Sequence, residues 1–327
     1  MRLRLVRDVT TFDFMRWARW AVAGSIALFL VALASIPVHG LNLGIDFRGG
    51  TMIMAQTDGP PDLAAMRAAL AAAPLGEVSI TEISDPAAEL TGGTERNGVM
   101  IRVGARDGED TAQTDIVATA MAALQPVDAS VRVLGVETVG ARVSGELLRA
   151  GALALALSVG AMLVYIWLRF EWQFAVGAVV ALVHDVTLTI GFFILLQLEF
   201  NLTIVAALLT LIGYGINDTV VVFDRVRENL RRYKTMPLKD LINLSVNQTL
   251  ARTVMTTVTT FLAVFAMFAL GGEVLRGFTI AILWGVFVGA YSTVFIAAVV
   301  VLWLGVEREA KDPGPAAGVR FGSPEAP

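Results

Sequence analysis

Six long apolar runs, separated by polar connections, set the architecture of this 327-residue chain. They occupy 17–38, 149–168, 173–197, 201–223, 253–271 and 278–304. About 20 helical residues cross a bilayer core of about 30 Å, so each run is long enough to span. The sixth exceeds that need and is expected to tilt or to emerge at one end. Between the first two runs the pattern changes. Strands are expected at 43–56, 77–84, 98–104 and 129–138, with helices at 62–73 and 110–124. Asp62, after Pro60-Pro61, is placed to cap the first helix and Pro74 to stop it, while Asp110 or Thr111 caps the second. The loop Thr91-Gly92-Gly93-Thr94 parts the two middle strands. The order βαββαβ is that of a ferredoxin-like domain. The fold class expected is an all-α polytopic membrane protein of six transmembrane helices, with a small α+β ferredoxin-like domain between helices 1 and 2.

Composition agrees: 56% of the residues are hydrophobic and 17% charged, against about 25% charged in soluble domains. Charge then orients the spans. Arg2, Arg4, Arg7, Arg16 and Arg19 lie before or at the start of the first span, and 224–252 holds seven Lys or Arg. The connection near 198–200 has none, and that near 272–277 has only Arg276. Positive residues mark the cytoplasmic side. Residues 1–16, the 224–252 loop and a disordered Pro-, Gly- and Ala-rich tail, 305–327, are therefore expected inside, and 39–148 outside. The outer segment 40–147 has 15 acids against seven arginines, whereas the basic inner face suits anionic membrane lipids. The first span reads as a retained anchor, because Pro37-Val38-His39 is a poor cleavage site. With no cysteine in the chain, disulfides and thiol chemistry are excluded, and His39, alone at the membrane edge, makes no metal site.

Ionisable groups inside spans are costly, at about 2.5–3.5 kcal/mol or more, and so ask for a reason. Asp218 stands in Gly213-Tyr214-Gly215-Ile216-Asn217-Asp218-Thr219, about 9 Å of helix from the cytoplasmic end of span 4. Thr210, Tyr214 and Asp218 recur every four residues, and Gly213 and Gly215 are expected to let a neighbouring helix approach. Span 5 offers Arg252, Thr256 and Thr260 at the same interval, flanked by Thr253, Thr257 and Thr259. An Asp218–Arg252 pair lined by hydroxyls is suited to binding and releasing a proton, since the cation holds the carboxylate ionised. A static ion pair fastening the two spans is the plainer alternative. His184-Asp185 near the centre of span 3 either relay protons or satisfy each other across the bundle. Glu199 and Glu273 are expected as solvated caps, Asp224–Asn229 as a headgroup anchor, and 236–250 as a helix along the inner interface. Gly44-Ile45-Asp46-Phe47-Arg48-Gly49-Gly50-Thr51 lacks phosphate-loop spacing and reads as a tight turn or bulge.

Those last residues, His184-Asp185, the run GYGINDTVVVFDRVREN from Gly213 to Asn229, and Gln248-Thr249-Leu250-Ala251-Arg252-Thr253 resemble the SecF-type members of the SecD/SecF protein-export family, over residues 10 to 305. The resemblance implies a six-span half of the resistance–nodulation–division (RND) architecture, paired with SecD in the bacterial inner membrane. SecYEG and YajC would stand alongside, and the SecA motor would act indirectly. Unfolded preprotein would be drawn to the periplasmic side by the proton gradient. Asp218, Arg252 and Thr256 would shape the proton path, with Asn217, Asp185 and His184 counted with them. No cofactor, enzymatic activity or nucleic-acid partner is implied, and no nucleotide-binding motif is present. Two residues depart from the family pattern: Gly215 and Ala251 stand where Ser is usual, and each removes a hydroxyl. An efflux pump on the same architecture or a passive scaffold are the competing readings. The first would need an unseen second half, and the second leaves Asp218 and Arg252 without purpose.

Overall fold

The computed structural model describes residues 10–83, 97–105 and 113–306. Residues 1–9, the 91–94 loop, the Asp110 and Thr111 cap and the tail beyond 306 lie outside the described residues, as does the Glu273 side chain. The α+β domain contains β1 (Gly50–Thr57), α3 (Leu63–Ala72), β2 (Val78–Ile83), β3 (Asn97–Gly104), α4 (Gln113–Leu124) and β4 (Arg132–Val139). The sheet order is β2-β3-β1-β4 with every neighbouring pair antiparallel, as a ferredoxin-like domain requires. Period-2 alternation along β1 and β3 puts Ile53, Ala55, Val99, Ile101 and Val103 on one face. There they pack with Met66 and Leu70 of α3 and Ala120 and Leu124 of α4. Asp62 caps α3, accepting from the Ala64 and Ala65 amides at 3.1 and 3.0 Å.

The strand expected from residue 43 starts only at Gly50. Residues Ile45–Arg48 instead form a single helical turn, α2, closed by the Phe47 and Arg48 amides on the Gly44 carbonyl. Gly50 explains the switch: its φ is +138°, and a Cβ there would overlap the Val103 carbonyl. Only glycine lets the turn enter the central strand at once.

Among the described residues, six helices are long and apolar enough to cross a membrane. They are α1 (Phe14–His39), α5 (Ala141–Arg169), α6 (Trp172–Leu195), α7 (Leu202–Arg232), α8 (Leu238–Leu270), and a sixth span made of α9 (Gly272–Ser292), a π-helical turn (Thr293–Ala297) and α10 (Ala298–Leu304). The surplus length of the sixth run is thus taken up partly by an internal π turn. The stretch 224–252 is not a loop. It continues α7 to Arg232 and resumes as α8 at Leu238, leaving only 233–237 between them. Charged residues leave hydrocarbon but do not break a helix, and Pro237 is the sole breaker here.

For the same reason 236–250 is not a separate helix along the membrane surface. Nothing interrupts α8, and its first turns bury Leu241, Ile242, Ser245 and Val246. Asn229 of α7 donates to Ser245 Oγ and Gln248 Oε1, each at 2.9 Å. Asn243 and Asn247 accept from the Phe14 and Phe12 amides at 2.9 Å, serving donors that the start of α1 leaves free.

Candidate functional site

Asp218 lies about 24 Å along α7 at about 1.5 Å per residue and is 5% exposed. Helical spacing turns it toward α8, where the Thr256 hydroxyl donates to its Oδ1 at 3.4 Å. That hydroxyl also reaches the carbonyls of Arg252 and Thr253, at 3.1 and 3.0 Å. Its single proton therefore has three alternative acceptors. One turn along α7, the Tyr214 hydroxyl reaches the Thr256 carbonyl and Thr260 Oγ1, both at 3.2 Å. Thr253 Oγ1 and Thr257 Oγ1 are buried without hydrogen-bond partners.

The direct Asp218–Arg252 ion pair expected from the spacing is not made: no N···O approach within 4.0 Å joins them among the described residues. Arg252 stays beyond ion-pair distance and is itself exposed. It lines a cleft of about 890 Å3 at the bundle end away from the α+β domain, with Asp224, Arg231 and others. In that cleft Arg169 pairs with Asp224 at 3.3 Å and Arg225 with Glu228 at 2.8 Å.

The open side of α7 carries Thr210, Gly213 and Asn217. Among the described residues nothing lies within 4 Å of a Cβ built at Gly213, and a Cβ at Gly215 would meet only Leu182, at 4.0 Å. Gly213 therefore serves no close packing among the described residues, whereas α9 does come near Gly215, since a Cβ on Gly289 would stand 4.0 Å from its Cα; a serine would still fit at 215.

Asp185 and His184 form a second cluster on the other side of α7. Asp185 Oδ1 lies 2.9 Å from His184 Nδ1, and Ser292 donates to Oδ2 at 2.6 Å. Both residues thus meet in one cluster although they are adjacent on a helix. The Tyr291 hydroxyl reaches the Ala21 carbonyl at 2.7 Å and Ser25 at 2.8 Å. His184 Nε2 is buried and unpartnered. Thr219, next to Asp218 but facing away from it, meets Thr293 of the π turn at 3.0 Å. The α7 helix thus stands between two polar sites.

Glu199 is no solvated cap. It forms an ion pair with Arg102 of β3, the two side chains being 23% and 26% exposed. Burial pushes the Glu199 carboxyl above the ordinary glutamate range; Arg102 opposes this and nearby Asp46 adds to it. Asp46 accepts from the Leu202 amide, the first residue of α7, at 2.8 Å. Arg102 was missed because no local pattern marks a β3 arginine as reaching a membrane hairpin; Asp46 could have been suspected from its place in the glycine-rich motif.

Comparison with known proteins bears on both regions. The family model described as protein export membrane protein SecD/SecF, C-terminal, matches residues 119–307, and that of the SecD/SecF GG motif matches 34–60. Proteins named protein translocase subunit SecF are similar over nearly their whole length. That of Cereibacter sphaeroides is 48% identical over 99% of both chains, and that of Rhodobacter capsulatus 49% over 95% of both. The crystal structure of SecDF from Thermus thermophilus, described as a translocon-associated membrane protein, superposes with a TM-score of 0.78 at 33% identity. This chain is covered to 93% in that match and spans 40% of that longer protein. The chain belongs to the SecD/SecF family of protein-export membrane proteins.

Proposed function

We propose that this chain is a SecF-type translocase subunit that couples inward proton movement at Asp218 to export of preproteins across the bacterial inner membrane, after SecA has begun their insertion. In this reading SecD supplies the second half, and SecYEG and YajC stand beside the pair. Both termini face the cytoplasm, and the α+β domain faces the periplasm. One observation carries the proposal: among the described residues, the buried Asp218 carboxylate inside span 4 is served by a single weak hydroxyl donor and a cation that holds back from direct contact.

Such a carboxylate can take up a proton without breaking an ion pair. Once protonated, Asp218 becomes a donor to Thr256 Oγ1, and that hydroxyl turns to the Arg252 or Thr253 carbonyl already within reach. Arg252 then loses its attraction to α7, and the spacing of α7 and α8 is free to change. One charge moving through 100 mV supplies about 2.3 kcal/mol, a bias of about fifty-fold between two arrangements. The exposed Asn217 amide and the uncovered Gly213 support a junction with a partner half on this face, since polar groups facing lipid are costly. His184 and Asp185 serve in this account as a second proton-accepting cluster across α7.

The test is precursor translocation and proton flux in vesicles carrying the assembled pair, with Asp218→Asn and, separately, Arg252→Met. Both variants are expected to lose gradient-stimulated export. Parental export in both would overturn the proposal.

A further inference from the structure

The hairpin between α6 and α7 meets the root of the α+β domain through a dense set of bonds. The Gly44 amide donates to the Phe200 carbonyl at 2.9 Å, and the Phe200 amide to the Asn42 carbonyl at 2.8 Å. This makes a short parallel bridge between Leu43 and Phe200. Asn42 Nδ2 donates to the Gln197 carbonyl at 3.0 Å. Asp46 holds the first amide of α7 at 2.8 Å, where a carboxylate also suits the helix dipole. The Phe200 ring packs on Phe47 at 5.9 Å between centroids. From α2 the chain passes through Gly49-Gly50 directly into β1, the strand that pairs with both β3 and β4. Arg102 closes the loop from the sheet side, standing opposite Met52 of β1 and pairing with Glu199.

We propose that Arg102, Glu199 and Asp46 form a clasp that ties the sheet to the outer end of α7, so that displacement of α7 is delivered to the α+β domain as a rigid movement. They are positioning residues, distant from the proton site. A covalent and hydrogen-bonded route joins Asp218 to β1: along α7 to Leu202, across to Asp46, then through α2. Asp46 holds α7 to α2, and β4 runs through Gly140 straight into α5, but neither ties the sheet itself to the α6–α7 hairpin. The Arg102–Glu199 pair adds a direct tie from β3 to the α6–α7 hairpin. Gly44 belongs to the same device, because a Cβ there would stand 2.6 Å from Glu199 Oε1. The mechanical claim stands alone, whereas its use in coupling rests on the proton-driven reading above.

The test uses the full chain with its partner half in vesicles. Because the chain has no cysteine, Arg132→Cys on β4 and Leu196→Cys at the end of α6 take two spin labels cleanly on its side. Their distance distribution is expected to be narrow in the parent and clearly broader with Glu199→Gln or Arg102→Gln. It should narrow again in the charge-swapped Arg102→Glu/Glu199→Arg chain. Amide exchange of the sheet should be unchanged, which separates release from unfolding. Glu199→Gln should lose gradient-stimulated export several-fold while proton flux continues. An unchanged distribution in both single variants would overturn the clasp. A broadened distribution with parental export would overturn its coupling role. If Asp218→Asn exports normally while Glu199→Gln still broadens the distribution, the clasp stands and the proton reading falls.

Discussion

Asp218 and Glu199 are acids at two levels of the same membrane hairpin, and their surroundings are opposite in kind. Among the described residues Asp218 has one hydroxyl donor, at 3.4 Å, and a cation beyond 4.0 Å. Glu199 has a direct guanidinium partner, and its loop is stitched to Asn42 and Gly44 by backbone bonds of 2.8 and 2.9 Å. On the proposed reading, the site that changes state is loosely held and the junction that transmits is tightly held. Movement is therefore expected to arise between α7 and α8 and to pass outward without dissipation at the domain root.

The largest effect expected is at the loose site: Asp218→Asn should reduce gradient-stimulated export to the level seen without a gradient, measured by precursor protection in vesicles. Next is the root itself. Gly50→Ala forces a side chain into φ +138° against the Val103 carbonyl, and the backbone alone costs about 1–3 kcal/mol. Amide exchange should report that loss throughout the sheet. Gly44→Ala should be milder, since Glu199 can swing aside. It should broaden the Arg132–Leu196 distance as Glu199→Gln does and leave the sheet's exchange intact.

Acidity of the outer solution distinguishes the two regions further. The Glu199 carboxyl sits above the ordinary value because burial penalises its charge, so it is neutralised before an ordinary glutamate at about pH 4.3. The groups facing it are Arg102 and Asp46. The distance distribution should broaden as pH falls through that titration and stay broad at every pH in Glu199→Gln. The sign for stability is opposite to that of a lowered acid. A raised carboxyl is penalised when charged, so its protonation favours the folded chain, and the clasp should open without unfolding. Smallest of all, Thr256→Val removes one long hydrogen bond worth about 1 kcal/mol. Gradient-stimulated export should fall by about fivefold or less, and Thr256→Ser should preserve it.

The membrane spans, the βαββαβ order and Asp218 with Thr256 were legible in the sequence because each rests on a local period or on a residue in a forbidden place. Helix ends were not. Hydrophobicity reports where a helix leaves hydrocarbon, and α7 and α8 continue well past that point into Arg232 and from Leu238. The α2 turn was hidden because Ile45 and Phe47 alternate as a strand would, while the Gly49-Gly50 backbone decides otherwise. Arg102–Glu199 was invisible for another reason: it joins residues 97 positions apart, and no periodicity records such a contact. Arg252 was expected to pair with Asp218, but spacing along a helix does not say how far a long side chain is drawn toward solvent.

The central claim, that Asp218 is the group that takes the proton, is tested most directly by infrared difference spectroscopy of the assembled pair in vesicles as the outer solution is acidified. The account predicts a carboxylic-acid C=O band that disappears in Asp218→Asn and persists in Asp185→Asn. A band that survives Asp218→Asn and vanishes in Asp185→Asn would contradict it, and would move the proton to the His184 cluster.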